Sequence, residues 1–290
     1  MLRISAISFL NTAPLMWDFE RGQPPRAPRV VNSGGIDFEL SYTVPSRCAE
    51  QLRAGEADIG IIPAITYATI PNLVVLPDAA IAAHGAVKSI LLVSRKPLEQ
   101  VRSIAADSSS RTSVALLRVL CRKFWNIAPP ITSRAPELET MLANDDAALL
   151  IGDPALRVKR DRYQVLDLAE EWKKFTGKPF VFAFWAVRMA AVAEAPRDLD
   201  LAAVFRESRD HGLDPRHVDE IARLWAPIVG ISEHEVRHYV THHIHYYLDR
   251  ACGEGLELFY RYAAECGAIE RAPELRMLST SSGACFAFGG

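Results

Sequence analysis

Much of what identifies common protein classes is missing from this chain of 290 residues. No apolar run approaches the roughly 20 residues that a helix needs to cross a bilayer. The opening Met1-Leu2-Arg3 has no basic leader, long apolar stretch or small-residue cleavage site behind it, which leads to the expectation of a soluble, cytoplasmic protein with no membrane partner. Charge of one sign is not in excess. The 33 Lys and Arg against 35 Asp and Glu leave a net charge of −2, so nucleic acid is not an expected partner. Cysteine is sparse: Cys48, Cys121, Cys252, Cys266 and Cys285, none in a CxxC pair. That spacing supports neither a disulfide framework nor a zinc ribbon, and it fits reduced, buried thiols. There is no G-x-G-x-x-G fingerprint, no Walker-type phosphate loop and no G-x-S-x-G elbow. A nucleotide cofactor and the usual serine-hydrolase chemistry therefore have no local support.

What is present is an ordinary globular composition, 49% hydrophobic and 23% charged, enough for a full core. Apolar segments alternate with helical patterns. Strands are expected at Arg3–Phe9, Phe38–Thr43, Ala57–Ile62, Leu73–Leu76, Ser89–Ser94, Ala147–Ile151 and Phe180–Val187. Helices are expected at Pro45–Ala54, closed by Gly55, at Thr112–Phe124 and at Pro136–Asn144. From Leu199 onward the pattern is helical with breaks at Gly212, Gly230 and Gly253–Gly255, and Ser279–Gly290 reads as a loose tail. This alternation implies an α/β fold with a mainly parallel sheet covered on both faces. The β-rich segments near 89–95 and 180–188 bracket a middle block. The expected organisation is a discontinuous first lobe, residues 1–92 plus 188–290, and a second lobe, 93–187, with a ligand cleft between them.

Four stretches carry candidate chemistry. In "ISFLNTAPL" a strand ends on Asn11 and Thr12. They either cap the next helix or meet a ligand beyond a strand's carboxyl end. In "DSSSRTSVALL" Ser109, Arg111 and Thr112 stand at a helix start, where N–H groups, hydroxyls and a guanidinium make an anion cradle. In "LLIGDPALR" Asp153 either positions a ligand hydroxyl or caps a helix at Pro154. In "HYVTHHIHYY" His238 and His242 are one helical turn apart. Two ligands without a partnering cysteine or carboxylate are too few, so a histidine-bearing helix surface and no metal are expected.

Taken together, "SFLNTAPL", "LRAGEADIG", "VKSILLVS", "SSSRTSVALL", "LLIGDPALR" and "DLAEEWKKFTGKPFVFAFWA" resemble, in order, the MqnA family of menaquinone biosynthesis, the chorismate dehydratases of the futalosine pathway. The likeness covers roughly residues 3 to 188; the C-terminal helices match only in general character. It implies a type II periplasmic-binding-protein-like fold and a hydro-lyase that converts chorismate to 3-[(1-carboxyvinyl)oxy]benzoate without metal or organic cofactor. It also implies active-site roles for Asn11, of the "LN" motif, and Ser89, after the glycine loop "HGAVKS". Where the family often has an acid, this chain has Thr66. Two readings compete: a small-anion-binding protein without turnover, and the related cyclase branch of the same pathway. Because losing water makes an aromatic ring, the protein need only orient the substrate and assist proton transfer. No strong base stands out in these motifs, so a carboxylate of chorismate itself is the expected proton acceptor. Nothing in the sequence speaks to oligomeric state.

Overall fold

The structure is a computed structural model that describes residues 1–196 and 199–279. Cys285 and the tail from Thr280 lie outside the described residues. Among the described residues, eleven strands form two mixed sheets. They are β1 (Leu2–Ile7), β2 (Arg29–Ser33), β3 (Ile36–Thr43), β4 (Ile59–Pro63), β5 (Leu73–Ala83), β6 (Ile90–Ser94), β7 (Ile104–Asp107), β8 (Ile131–Arg134), β9 (Ala147–Ile151), β10 (Gln164–Asp167) and β11 (Phe180–Arg188). The first sheet has the order β2-β3-β1-β4-β11-β5 and the second β10-β6-β9-β7-β8.

Parallel pairs occur where helices connect neighbours, β1 with β3 and β4, and β7 with β8 and β9. The expected mainly parallel sheet is not what forms, because the chain crosses between sheets twice. It leaves the first sheet after β5 and enters the second at β6; it leaves the second after β10 and re-enters the first at β11. Strands that pass the same border in opposite directions are antiparallel neighbours, and both such pairs, β5/β11 and β6/β10, are hydrogen-bonded. Sheet membership puts the changes of sheet between Ala83 and Ile90 and between Asp167 and Phe180. Phe180–Val187, assigned from sequence to the second lobe, thus pairs with β4 and β5 in the first. Ile90–Leu92, assigned to the first, pairs with β9 and β10 in the second. The apolar character of Phe180–Val187 remains informative: all eight residues are buried, as a strand covered on both faces requires.

The helices follow local chemistry. Pro45 opens Pro45–Ala54, where its missing N–H costs nothing, and Gly55 closes it at φ 74° in the left-handed region. Ser110 caps Arg111–Leu120 by accepting the Ser113 N–H at 3.2 Å. After Leu201–Gly212 and Pro215–Val229, the chain makes Glu233–His238, a wider turn to His243, and a last helix Arg250–Glu265. The expected break at Gly253–Gly255 does not occur; both glycines lie inside that helix. Gly255 is there for room. A Cβ at this position would sit 2.2 Å from the Pro179 carbonyl oxygen, on the segment that returns to the first sheet. Gly-to-Ala inside a helix ordinarily gains up to about 1 kcal/mol. Gly255→Ala should instead lose roughly 1–3 kcal/mol through overpacking against backbone. Urea denaturation checks it; a stabilised variant would contradict the close approach.

Candidate active site

A small cavity lies between the sheets, at the two crossovers. The end of β1 and the turn Leu10–Thr12 supply Ile7, Phe9 and Asn11; the first crossover supplies Ser89. The start of the helix Arg111–Leu120 supplies Ser110, Thr112 and Ser113, and β11 supplies Phe182 as an apolar wall. Gly152, after β9, adopts φ 63°, and a Cβ there would meet the Phe9 ring at 2.8 Å. The open volume is about 40 Å³. None of the lining residues has an ionisable side chain.

The polar groups are arranged about one hydrogen bond. The Tyr239 hydroxyl donates to Ser89 Oγ at 2.8 Å, both residues being buried. The Ser89 hydroxyl proton is thereby left free to donate to a third group. Burial pushes the Tyr239 phenol pKa far up, with the Ser89 bond and Asn11 opposing it, so the phenol stays neutral and acts as a donor. Asn11 Oδ1 is buried with no hydrogen-bond partner. Such a group costs about 1–3 kcal/mol until something pairs with it, and a half-turn of the amide presents either its oxygen or its NH₂ to the cavity. The free N–H groups and positive end of the ten-residue helix behind Ser110 complete a donor-rich, apolar-walled site.

Of the residues singled out from sequence, Asn11, Ser89 and Thr112 meet at this cavity. The other four do not line it. Thr12 turns its hydroxyl back to the Ile7 and Phe9 carbonyls, both at 2.7 Å. Ser109 donates its N–H and hydroxyl to Asp107 Oδ1 at 2.8 and 2.6 Å. Arg111 leaves the expected cradle, because Glu50 across the cleft pairs with its guanidinium at 2.8 Å. Asp153 accepts the Leu10 N–H at 3.1 Å, so it holds the Asn11 turn from the opposite lobe. Thr66 is buried, bonds the Pro63 carbonyl at 2.6 Å and lines a separate cavity with Asp107 and Arg111. Sequence reasoning missed Tyr239, the cap Ser110 and Ser113, whose N–H that cap accepts. Tyr239 carries no local signal, since only the packing of the C-terminal helices brings it to Ser89. Beyond Tyr239 a wider cleft of about 540 Å³ has Lys88, Arg160, His234 and His238 in its wall.

With fold and site described, the class is that of periplasmic-binding-protein-like folds. The structure is similar to protein AF1704 from Archaeoglobus fulgidus, with a TM-score of 0.72 and 17% identity over 92% of this chain and 98% of that one. It is also similar to the periplasmic aliphatic sulphonate binding protein SsuA from Escherichia coli, with a TM-score of 0.64 and 15% identity over 97% of this chain and 92% of that one. The sequence narrows this further: a model of the menaquinone biosynthesis family matches residues 2–265, and the chain belongs to that family. It is 29% identical to a chorismate dehydratase from Thermus thermophilus over 240 residues, 77% of this chain and 85% of that protein. Among the described residues no helix is long and apolar enough to cross a membrane.

Asp153 supplies a test of the cross-cleft bond. Burial lifts its pKa from 3.8 to about 6, with the Leu10 N–H and Arg157 pulling it down. Between those two values the folded chain keeps a proton that the unfolded chain has lost, so stability falls as pH rises through the window. The cost is complete above about pH 6, up to about 3 kcal/mol. Asp153→Asn should therefore be more stable than the parent at pH 7 and equal to it near pH 3.5, read by chemical denaturation at both. A variant less stable at pH 7 would show that the ionised carboxylate is a net stabiliser.

Proposed function

We propose that this chain is a chorismate dehydratase, a hydro-lyase that converts chorismate to 3-[(1-carboxyvinyl)oxy]benzoate and water. The observation that carries the reading is the lining of the cavity: donors at Asn11, Ser89 and a helix start, apolar walls, and no acid or base. Relationship to the Thermus thermophilus dehydratase supplies the substrate. In this scheme a chorismate carboxylate takes the ring proton from the carbon that bears the enolpyruvyl ether. The hydroxyl on the neighbouring carbon leaves, and the new carboxylic acid returns its proton to it. Water departs and the carboxylate is regenerated, so no protein group changes its protonation state overall. Asn11 and Ser89 are the catalytic residues, orienting substrate oxygens by hydrogen bonds, with Ser89 itself aimed by Tyr239. Thr112 and the helix start receive the second carboxylate. Lys88 and Arg160 in the wall of the wider cleft favour the approach of a dianion.

A cavity of about 40 Å³ holds about one water, far less than the ~300 Å³ or more of ordinary ligand pockets. Substrate entry therefore requires the lobes to part. The fold's likeness to solute-binding proteins keeps binding without turnover as the second reading. Incubation with chorismate distinguishes them: the enzyme yields a product lighter by one water, and a binder leaves chorismate unchanged. Asn11→Asp is the residue test. If Asn11 were a helix cap, Asp would replace it, because both accept the same N–H bonds. In the proposed role Asp loses the donor and opposes a substrate carboxylate. The variant should keep its melting temperature and lose turnover by about 10²-fold or more. Near-normal turnover would remove Asn11 from the mechanism.

A further inference from the structure

We propose that His84, His245, Asp249 and Cys252 form a site for one divalent ion of the zinc class, placed at the first crossover between the lobes. Their ligand atoms all lie within 4.8 Å of one another. His245 Nε2 is 2.8 Å from Asp249 Oδ2, and His84 Nε2 is 4.0 Å from the same oxygen. The two imidazoles stand edge to face, with centroids 4.3 Å apart. A tetrahedral zinc with bonds of about 2.0–2.3 Å needs its ligand atoms roughly 3.3–3.8 Å apart. Small rotations of His84 and Asp249, both partly exposed side chains, close that difference.

The backbone behind the cluster is already fixed. His245 exchanges main-chain hydrogen bonds with Ala82, at 2.8 and 2.9 Å, which sets it beside the end of β5 and His84. Asp249 caps the last helix by accepting the Cys252 N–H on Oδ1 at 2.8 Å. Its other oxygen faces the imidazoles. One carboxylate would thus bind the ion through Oδ2 and orient a second ligand through Oδ1.

The donor set selects the metal. A thiolate and two imidazoles suit zinc or cobalt and do not suit magnesium or calcium, which take oxygen ligands. Charge balances as well: one carboxylate and one thiolate neutralise a dication, with both imidazoles neutral. Binding converts the Cys252 thiol to thiolate and releases its proton to solvent. The His245–Asp249 hydrogen bond gives way to two metal bonds.

Position gives the site its consequence. His84 begins the segment that leads to Ser89. The other three residues belong to the segment and helix that flank the returning crossover, where Lys178 pairs with Glu254 at 2.6 Å. An ion here would tie the leaving crossover to the element beside the returning one, at the hinge about which the lobes part. The inference stands apart from the reaction, since none of the four residues lines the cavity at Asn11.

The test uses the purified, reduced full chain and zinc or cobalt alone. Calorimetry should find one Zn²⁺ per chain, and the melting temperature should rise with zinc. Co²⁺ should give visible d–d bands and a near-ultraviolet thiolate-to-cobalt band that Cys252→Ser abolishes. His84→Ala should weaken zinc binding by about 100-fold or more, beyond the 10–100-fold typical of outer partners. Because His84 is exposed, its variant decides the matter even if Cys252→Ser unfolds the chain. His238→Ala combined with His242→Ala should leave zinc affinity unchanged. Absence of saturable binding, unchanged affinity in His84→Ala, or loss in the His238/His242 double variant would each overturn the site.

Discussion

The double passage of the chain between two sheets is the constraint on which the rest depends. Because the crossovers run in opposite senses over one border, they lie side by side, and each fixes the other. Asp167, where the second sheet is left, accepts the Val87 and Lys88 N–H groups at 3.1 and 2.7 Å, from the segment by which that sheet is entered. The same carboxylate caps the helix Leu168–Thr176. Ser89 follows at once, its carbonyl accepting the Gly152 N–H at 2.8 Å. The Ser89 hydroxyl is thus carried by a segment tied to two strand ends of the second sheet before Tyr239 reaches it. Precise donors of this kind come from rigid supports, and here the support is the hinge itself.

Legibility from sequence followed the range of the interactions. Pro45–Ala54 and Ala147–Ile151 match the observed elements, because a proline start, a glycine stop or an unbroken apolar run is a local signal. The short strands β2, β7, β8 and β10 went unread, since about four or five residues give little periodicity to detect. Asn11 and Ser89 could be singled out because each follows or precedes a strand in a recognisable motif. Arg111 shows the limit. Its sequence neighbourhood describes an anion cradle, but Glu50, from a separate helix, takes the guanidinium. His84 and Tyr239 show the same limit from the other side, as their partners lie far along the chain.

The polar contacts at the mouth of the cleft differ in kind and in strength. Arg111–Glu50 is a half-exposed ion pair, worth about 0–1 kcal/mol. The Ser46 N–H to Ser109 carbonyl and Ile65 N–H to Thr112 hydroxyl bonds are both 3.2 Å, each worth about 1 kcal/mol net. Leu10 N–H to Asp153 is offset by the burial of a carboxylate. They are not the whole of the joint: Arg122 donates to the Cys266 carbonyl at 2.6 Å, and the Phe124 ring packs against Tyr262 of the last helix. Thr112, which both lines the cavity and bonds Ile65, links the state of the lobes to the state of the site.

A cavity without an ionisable lining poses a question of proton transfer, and its surroundings suggest the answer. Asp107, Asp153 and Asp167 lie just behind it, and burial raises the pKa of all three, Asp153 to about 6. Asp153 and Asp167 are committed to backbone N–H groups, and Asp107, whose Oδ1 accepts the Ser109 N–H while its Oδ2 is buried without a partner, lines the separate cavity beside Thr66 and not the one at Asn11. What burial does to these carboxyls it does to any carboxylate enclosed beside them. In the proposed reaction, a substrate carboxylate that is a feeble base in water would gain basicity once enclosed, and neutral donors at Asn11 and Ser89 would hold it in place without quenching its charge as a cation would. A lysine or arginine in the lining would bind the dianion more tightly and make it a poorer base. On that proposal, keeping fixed charge one layer away from the cavity would serve binding less and proton abstraction more, as expected where the strongest interactions belong to the transition state.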